Sequence, residues 1–536
     1  MTSRRTDIDT DQQELRDRRL RRPQRVAVSR FGMVATAQHR ATEAGVRILE
    51  EGGNAVDAAV ASALALGVCE PAASGLGGQT MMMIHDSASR RTLALDGSSR
   101  APHRATPGTL GPAERRRGYC SSTVPSTPAT LSYALERYGS MGLEAVIQPA
   151  IELADQGFEV SELLHALTKR ELRALKAGTA SSLFLKNART PHRIGTLFRQ
   201  PALAETLRQL AHRGAEDFYT GRIASQIHDD MVRNNGLIQK DDLAQIPWPI
   251  ERRPLSCRFK TLRVMTFPPP GAGRTLVLML NLLSHFPDKQ CDPDSPEGAV
   301  LLAAVIRQAF RNRRDRPRDP NSYAQVEEKK MLSRDFAKVT ARTLRKELAG
   351  HGETTHLSVA DRNGCMVALT QSIERVYGSC SASPELGFLY NDYMSAFEYE
   401  DISHPYYLRP NASPWASVAP TIVFRGRRPW LSIGSPGSER ITPSILQVLL
   451  RLHKFGPYEA VDAPRLHCSL DGVVSLETAR VGSDVVENLE RHGFTVRERD
   501  PYSFYLGCVQ LVLRDRQGWI GVADPRRDGS AGGPRK

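Results

Sequence analysis

A threonine hydroxyl is a poor nucleophile unless a base lies beside it. Thr354-Thr355-His356 follows Glu353 and opens a run that alternates like a β-strand. Breaking the peptide bond in front of Thr354 would create the base. The freed α-amine titrates at about pH 8 and lies within reach of the same residue's Oγ. Residue type and position therefore point to an N-terminal threonine that attacks a carbonyl carbon. A blander reading stands beside it, because paired threonines also start strands through β-propensity alone.

A nucleophile of this kind has to be mounted on sheets, and the chain supplies them. After Arg30 a strand-like GMVATA passes into a helical pattern that breaks at Gly52-Gly53 and restarts from Asn54 in an Ala-rich run. The turn SGLGG (Ser74–Gly78) leads into two strand-like segments, MMMIHD and TLALDG. Residues 126–240 read as helices punctuated by Gly and Pro, and Thr275–Leu283 as one more after Pro268-Pro269-Pro270. Near residue 350 the texture changes. THLSVADRNGCMVALTQSI alternates around an Asn363-Gly364 hairpin turn, SVAPTIVFRGRRPWLSIGSPG does so around Gly426, and a helix is expected over Thr442–His453. This order predicts a four-layer α/β/β/α sandwich. Residues 1–29 are expected as a disordered basic arm, 30–353 as a large part, and 354–536 as a small part beginning at the nucleophile.

Composition excludes several classes. Hydrophobic residues make up 40% of the 536 and charged residues 24%, which is globular and not disordered. The net charge of +13 comes from 72 basic against 59 acidic residues. Its N-terminal arginines are interleaved with Asp7, Asp9, Asp11, Glu14 and Asp17, with no nucleic-acid-binding motif beside them. No nucleic-acid partner is expected. Neither a membrane-length apolar run nor a secretory h-region is present, so a cytoplasmic location without membrane contact is expected. The eight cysteines are scattered, with no metal-ligand spacing, which predicts isolated thiols, no metal and no cofactor.

Many ordered segments resemble the γ-glutamyltranspeptidase family of N-terminal-nucleophile hydrolases, from about residue 31 to 530. They include GGNAVDAAVASALALGVCEP, SGLGG, RAP (Arg100–Pro102), QPAIELADQGF, GAEDFYTG, TTHLSVADRNGCMVALTQSI, SVAPTIVF, IGSPGSERI, EAVDAPRLH and DPRRDG. The resemblance implies autocatalytic cleavage between Glu353 and Thr354, leaving two fragments paired as a heterodimer. It implies that Thr354 is the nucleophile and that Ser372, where the family has threonine, steadies the nucleophile's amine. It further implies that Gly437 and Ser438 stand where a Gly-Gly pair forms the oxyanion hole; a backbone N–H survives a Gly→Ser change if the dihedrals allow it.

The substrate pocket departs from the family. Ser98 stands where an arginine binds the substrate α-carboxylate. Ala396 stands where an acid grips the α-amine, and Tyr393 replaces a polar helper. Glu374 replaces an asparagine, and of a Ser-Ser pair only Ser417 remains, after Ala416. Arg100 falls on the same strand face as Ser98 by pleat, as a partial substitute or as a structural arginine. Glu374 and Arg375 form either a new site or a surface pair. A short segment, 398–413, replaces the longer lid of some members, and Tyr406, Tyr407 and Trp415 put aromatic surface near a pocket that is open or differently covered.

These features predict an autoprocessing threonine hydrolase or acyltransferase that takes a small-molecule substrate, an acyl derivative of a specialised metabolite. The alternatives are hydrolysis of a carbon–carbon bond in antibiotic (alkyl-proline or pyrroline) biosynthesis, an ordinary γ-glutamyltransferase or glutathione hydrolase, and a non-catalytic scaffold.

Overall fold

The computed structural model describes residues 24–246, 248–314 and 354–535. Most of the expected arm, and Glu353 of the expected cleavage site, lie outside them. Where the arm's last residues are described they are ordered. Val26–Ser29 form strand β1, paired antiparallel with Trp519–Val522, so ordered structure begins before residue 30. The Arg25 side chain anchors this entry by donating to the carbonyls of Arg527 (2.7 Å) and Gly529 (2.6 Å).

Two seven-stranded sheets carry the molecule. The remaining strands, in chain order, are β2 (Gly32–Thr36), β3 (Gln79–Asp86), β4 (Arg91–Gly97), β5 (Phe158–Glu159), β6 (Leu197–Phe198), β7 (Ile250–Arg252), β8 (Leu255–Phe259) and β9 (Leu262–Thr266). After the boundary come β10 (Thr355–Asp361), β11 (Met366–Ser372), β12 (Thr421–Arg425), β13 (Arg428–Gly434), β14 (Leu466–Cys468), β15 (Val473–Leu476), β16 (Thr495–Glu498), β17 (Gln510–Asp515), β18 (Gly518–Ala523) and β19 (Ser530–Gly532). One sheet runs β1-β18-β17-β13-β12-β9-β8 and the other β19-β2-β10-β11-β3-β4-β7. Both expected hairpins are present, β10–β11 and β12–β13.

The period-two alternation of these strands builds the layers. Met33, Met81, Met83, Ala360 and Ala368 meet Ile422, Phe424 and Val512 between the sheets. Their alternates Val34, Met82, Ile84, Leu357 and Leu369 face helices α1 (His39–Glu50) and α2 (Ala55–Cys69). On the far side Val423, Leu431, Ile433 and Leu511 face α3 (Gly273–Leu283), α4 (Pro296–Arg314) and α5 (Ile441–Arg451). The result is the α/β/β/α sandwich that the sequence predicts. The apolar positions of α2 go all round, and the helix is accordingly buried on every side. Its start is fixed by a capping box: Asn54 Oδ1 accepts from Val56 (2.7 Å) and Asp57 (3.1 Å), while Asp57 Oδ2 accepts from Asn54 N–H at 2.7 Å. Among the described residues no helix is long and apolar enough to cross a membrane.

Candidate active site

Thr354 stands immediately before β10 and is 1% exposed. The β10–β11 register pairs Thr355 with Gln371 and His356 with Thr370; one step further along the ladder sets Thr354 against Ser372. Alternation then sends Thr354, His356, Thr370 and Ser372 to the inter-sheet face. The Thr354 hydroxyl is buried and has no hydrogen-bond partner among the described residues. Such a group is costly to keep unless it has a use. Ser372 Oγ accepts from Glu374 N–H at 2.9 Å.

The second sheet meets this strand through His356. Its Nδ1 is 2.8 Å from Thr370 Oγ1 and its Nε2 is 3.2 Å from Ser358 Oγ, which receives a hydrogen bond from Ser432 of β13 at 3.0 Å. Full burial drops the imidazole pKa to about 3, so the ring is neutral and each hydroxyl complements one ring nitrogen. Beyond β13 the chain turns through Gly437 (φ +116°) and Ser438 (φ +52°). Ser438 thus holds a left-handed backbone, which costs a side-chain-bearing residue about 1–3 kcal/mol and persists only where the surroundings enforce it. Here the brace is the segment 505–508. Cys508 N–H donates to Ser435 Oγ at 3.0 Å, and Arg440 Nε to the Tyr505 carbonyl at 3.0 Å.

The expected pocket residues divide into several groups. β4 ends at Gly97, so Ser98 and Arg100 lie past the strand and the expectation of a shared strand face is corrected. At this end the backbone is closely approached, since a Cβ on Gly97 would stand 1.9 Å from Thr130 Oγ1. Ser98 turns back to Asp96, its hydroxyl donating to Oδ1 at 2.5 Å, and Asp96 pairs with Arg252 at 3.3 Å. The Arg100 guanidinium reaches the Asn411 carbonyl at 3.4 Å. Tyr393 is buried, and its phenol lies beside the side chains of Ser372 and Gln79. Burial pushes this phenol far up, so it stays protonated.

Glu374 takes a left-handed backbone (φ +74°) right after the Ser372 strand. Arg375 does not form a surface pair with it; its Nε sits 3.0 Å from Asp392 Oδ2, and its N–H donates to Oδ1 at 2.9 Å. Asp392 is fully buried, and burial pushes its carboxyl up to about 7. Ala396 closes a short 3-10 turn, Tyr393–Ala396, and is half-buried. Ser417 is buried, and Ala416 packs between the sheets.

The segment after Ala396 is pinned down. Glu398 N–H donates to the Tyr406 carbonyl (2.7 Å), Leu408 N–H to the Glu398 carbonyl (2.8 Å), and Ala101 N–H to the Ala412 carbonyl (2.9 Å). The three expected aromatics therefore part company: Tyr406 is 3% exposed and serves packing, while Tyr407 and Trp415 are half-buried.

Sequence reasoning missed the polar frame beneath Tyr393. Gln79 Oε1 accepts from Ser99 N–H (2.9 Å), Ser99 Oγ from Thr123 (2.8 Å), and Asn391 Oδ1 from Thr123 Oγ1 (2.8 Å) and Tyr393 N–H (3.1 Å). It also missed Glu70, which accepts from the Thr355 hydroxyl (2.5 Å) and pairs with Arg527 (2.6 Å) on the helix-facing side of β10. Uncharged residues this far apart in the chain leave no local pattern; for Arg527 the only signal was the charge of the DPRRDG motif.

Residues 41–533 match the family model described as gamma-glutamyltranspeptidase. A glutathione hydrolase proenzyme of Escherichia coli (strain K12) is 33% identical over 532 residues, spanning 92% of this chain and 90% of that protein. An acylase ACY 1 proenzyme of Pseudomonas sp. (strain V22) is 31% identical and spans 87% of each chain. The crystal structure of a cephalosporin acylase from Bacillus halodurans superposes with a TM-score of 0.87 at 27% identity, covering 95% of this chain and 97% of that one. With its layered sheets and a buried threonine at the head of a central strand, the chain belongs to the gamma-glutamyltranspeptidase family and is an enzyme of that hydrolase and acyltransferase type.

Proposed function

We propose that the chain cleaves itself between Glu353 and Thr354 and then uses Thr354 to hydrolyse or transfer an acyl group other than an ordinary γ-glutamyl group. In maturation the Thr354 hydroxyl adds to the Glu353 carbonyl, the bond to the Thr354 nitrogen breaks, and that nitrogen takes the proton. Water then cleaves the resulting ester, leaving a free Glu353 carboxylate and a free Thr354 amine. In turnover the amine accepts the proton of the attacking hydroxyl and returns it to the leaving group. Ser372 steadies that amine, and the N–H groups of Gly437 and Ser438 receive the oxyanion.

The observation that carries this reading is Thr354 itself, whose buried hydroxyl has no partner among the described residues and lies opposite Ser372. The altered acyl preference is supported by Ser98, engaged with Asp96, and by Ala396, which carries no charge. A zwitterionic head would lose both charged partners, at several kcal/mol each in a desolvated site. The likeness to enzymes named acylases supports amide side chains as the scissile groups. A specialised metabolite as substrate and a cytoplasmic location complete the reading. N-terminal sequencing of the small fragment tests it: Thr354 as the first residue is expected, and a chain that stays whole refutes it.

A further inference from the structure

Glu70 is the residue that follows α2, and it is buried. Burial raises its pKa, and such a carboxylate is kept only where partners answer it. Its two oxygens are shared out. Oε2 receives the hydroxyl of Thr355 at 2.5 Å, and Oε1 faces Arg527 Nη1 at 2.6 Å. The carbonyl of Arg527 is in turn held by Arg25 at 2.7 Å. One carboxylate from the part before Thr354 therefore grips both the head of β10 and the turn between β18 and β19. Thr355 is the residue next to Thr354, on the opposite face of the same strand end. Cutting the chain before Thr354 removes the covalent restraint on one side of the nucleophile and leaves β10 pairing and the Thr355 side chain to hold it.

We propose that Glu70 is a positioning residue which, by clamping Thr355 against Arg527, fixes the backbone on which Thr354 is mounted for self-cleavage and for acyl transfer. This inference rests on the cleavage proposed above. Near-attack geometry is sensitive to displacements of about 1 Å, so a loosened strand end should be felt in rate before it is felt in stability.

The test follows full-length protein from the moment of cell-free synthesis, reading conversion of one band into two. Thr355→Val keeps the shape and removes the hydroxyl. It should slow conversion by at least about 10-fold, equivalent to about 1.4 kcal/mol in the barrier, and Thr355→Ser should restore most of the rate. Stability is read separately in a chain that cannot cleave: Thr354→Ala and Thr354→Ala with Thr355→Val should melt together. Conversion of Thr355→Val at the wild-type rate overturns the proposal. A melt of the double variant far below the single one does so too, because it assigns the hydroxyl to stability alone. A wild-type chain that stays whole refutes the cleavage reading itself, and this inference with it.

Discussion

Gly434 of β13 lies flat on the imidazole of His356, so close that a Cβ there would stand 2.2 Å from Cε1 and 2.4 Å from Nδ1. His356 is two residues from Thr354, the proposed nucleophile, and Gly434 is three residues before Gly437. The contact sets the spacing between the strand that carries the proposed attacking group and the turn that carries the proposed oxyanion donors. Gly434→Ala must push the sheets apart at this end. Overpacking of this kind costs about 1–3 kcal/mol. Differential melting should show that loss, and single-turnover kinetics should show acylation slowed by at least about 10-fold. A folded variant acylating at the parent rate would break the link between the two sheets and catalysis.

Ser372 and Tyr393 act on the same amine if the phenol steadies the serine hydroxyl. Ser372→Ala is expected to raise the acylation barrier by about 2–4 kcal/mol, as when other charge-stabilising donors are removed. Tyr393→Phe should cost less. The double variant should lose less than the sum of the singles, because contacting residues couple by about 0.5–3 kcal/mol. Strict additivity in this cycle would make Tyr393 a wall of the pocket and nothing more.

Two buried groups pull the pH dependence of stability in opposite directions. Asp392 titrates near 7 when folded and at 3.8 when unfolded, so its contribution is full below pH 3.8 and is lost as pH rises towards 7. His356, near 3 when folded and 6.5 when unfolded, favours the fold fully above pH 6.5 and loses that contribution as pH falls towards 3. Asp392→Asn removes the first effect alone. Relative to the parent, the variant should therefore gain about 1.4 kcal/mol of stability per pH unit between pH 4 and 7. Denaturant titrations across that window check the slope, and parallel curves would exclude a raised Asp392.

The acyl preference is read with a γ-glutamyl anilide. Fully processed protein should turn it over weakly or not at all, since a lost bidentate arginine and a lost acid each remove a charge-assisted contact. Ser98→Arg combined with Ala396→Asp should raise kcat/KM by at least about 10-fold, or about 1.4 kcal/mol. Parent activity matching an ordinary transpeptidase would show that the head is held by other groups.

The sandwich was legible because period-two alternation is a local property: GMVAT, MMMI and THLSVAD each declare their two faces. Turn chemistry was equally plain at Asn363-Gly364. The cap at Asn54 could be read for the same reason, since its partners are two and three residues away. The end of β4 was not legible, because the close packing of Gly97 against Thr130, a residue far along the chain, leaves no local pattern. Nor was the pairing of Glu70 with Arg527, across 457 positions of sequence. Of the site, Thr354 was only weakly marked by type and place, and its proposed role, like those of Ser372, Gly437 and Ser438, came through resemblance. Arg375 could be read as part of a new site or of a surface pair with Glu374; its partner Asp392, 17 residues on, left no pattern to find it by.

The two sheets braid the chain on either side of residue 354. Ladders β1–β18, β12–β9, β10–β2, β11–β3 and β19–β2 each join one strand from before the boundary with one from after it. Cutting the chain leaves these ladders intact but changes how they can be rebuilt. An uncut chain reassembles its sheets within one molecule, where tethered partners meet at an effective concentration of the order of millimolar. Two cut fragments must find each other, and at micromolar protein that encounter is about 10³-fold rarer. Maturation would then act as a ratchet: the protein that has armed its nucleophile has given up its own template for refolding, and its lifetime is set by how slowly the braid comes apart.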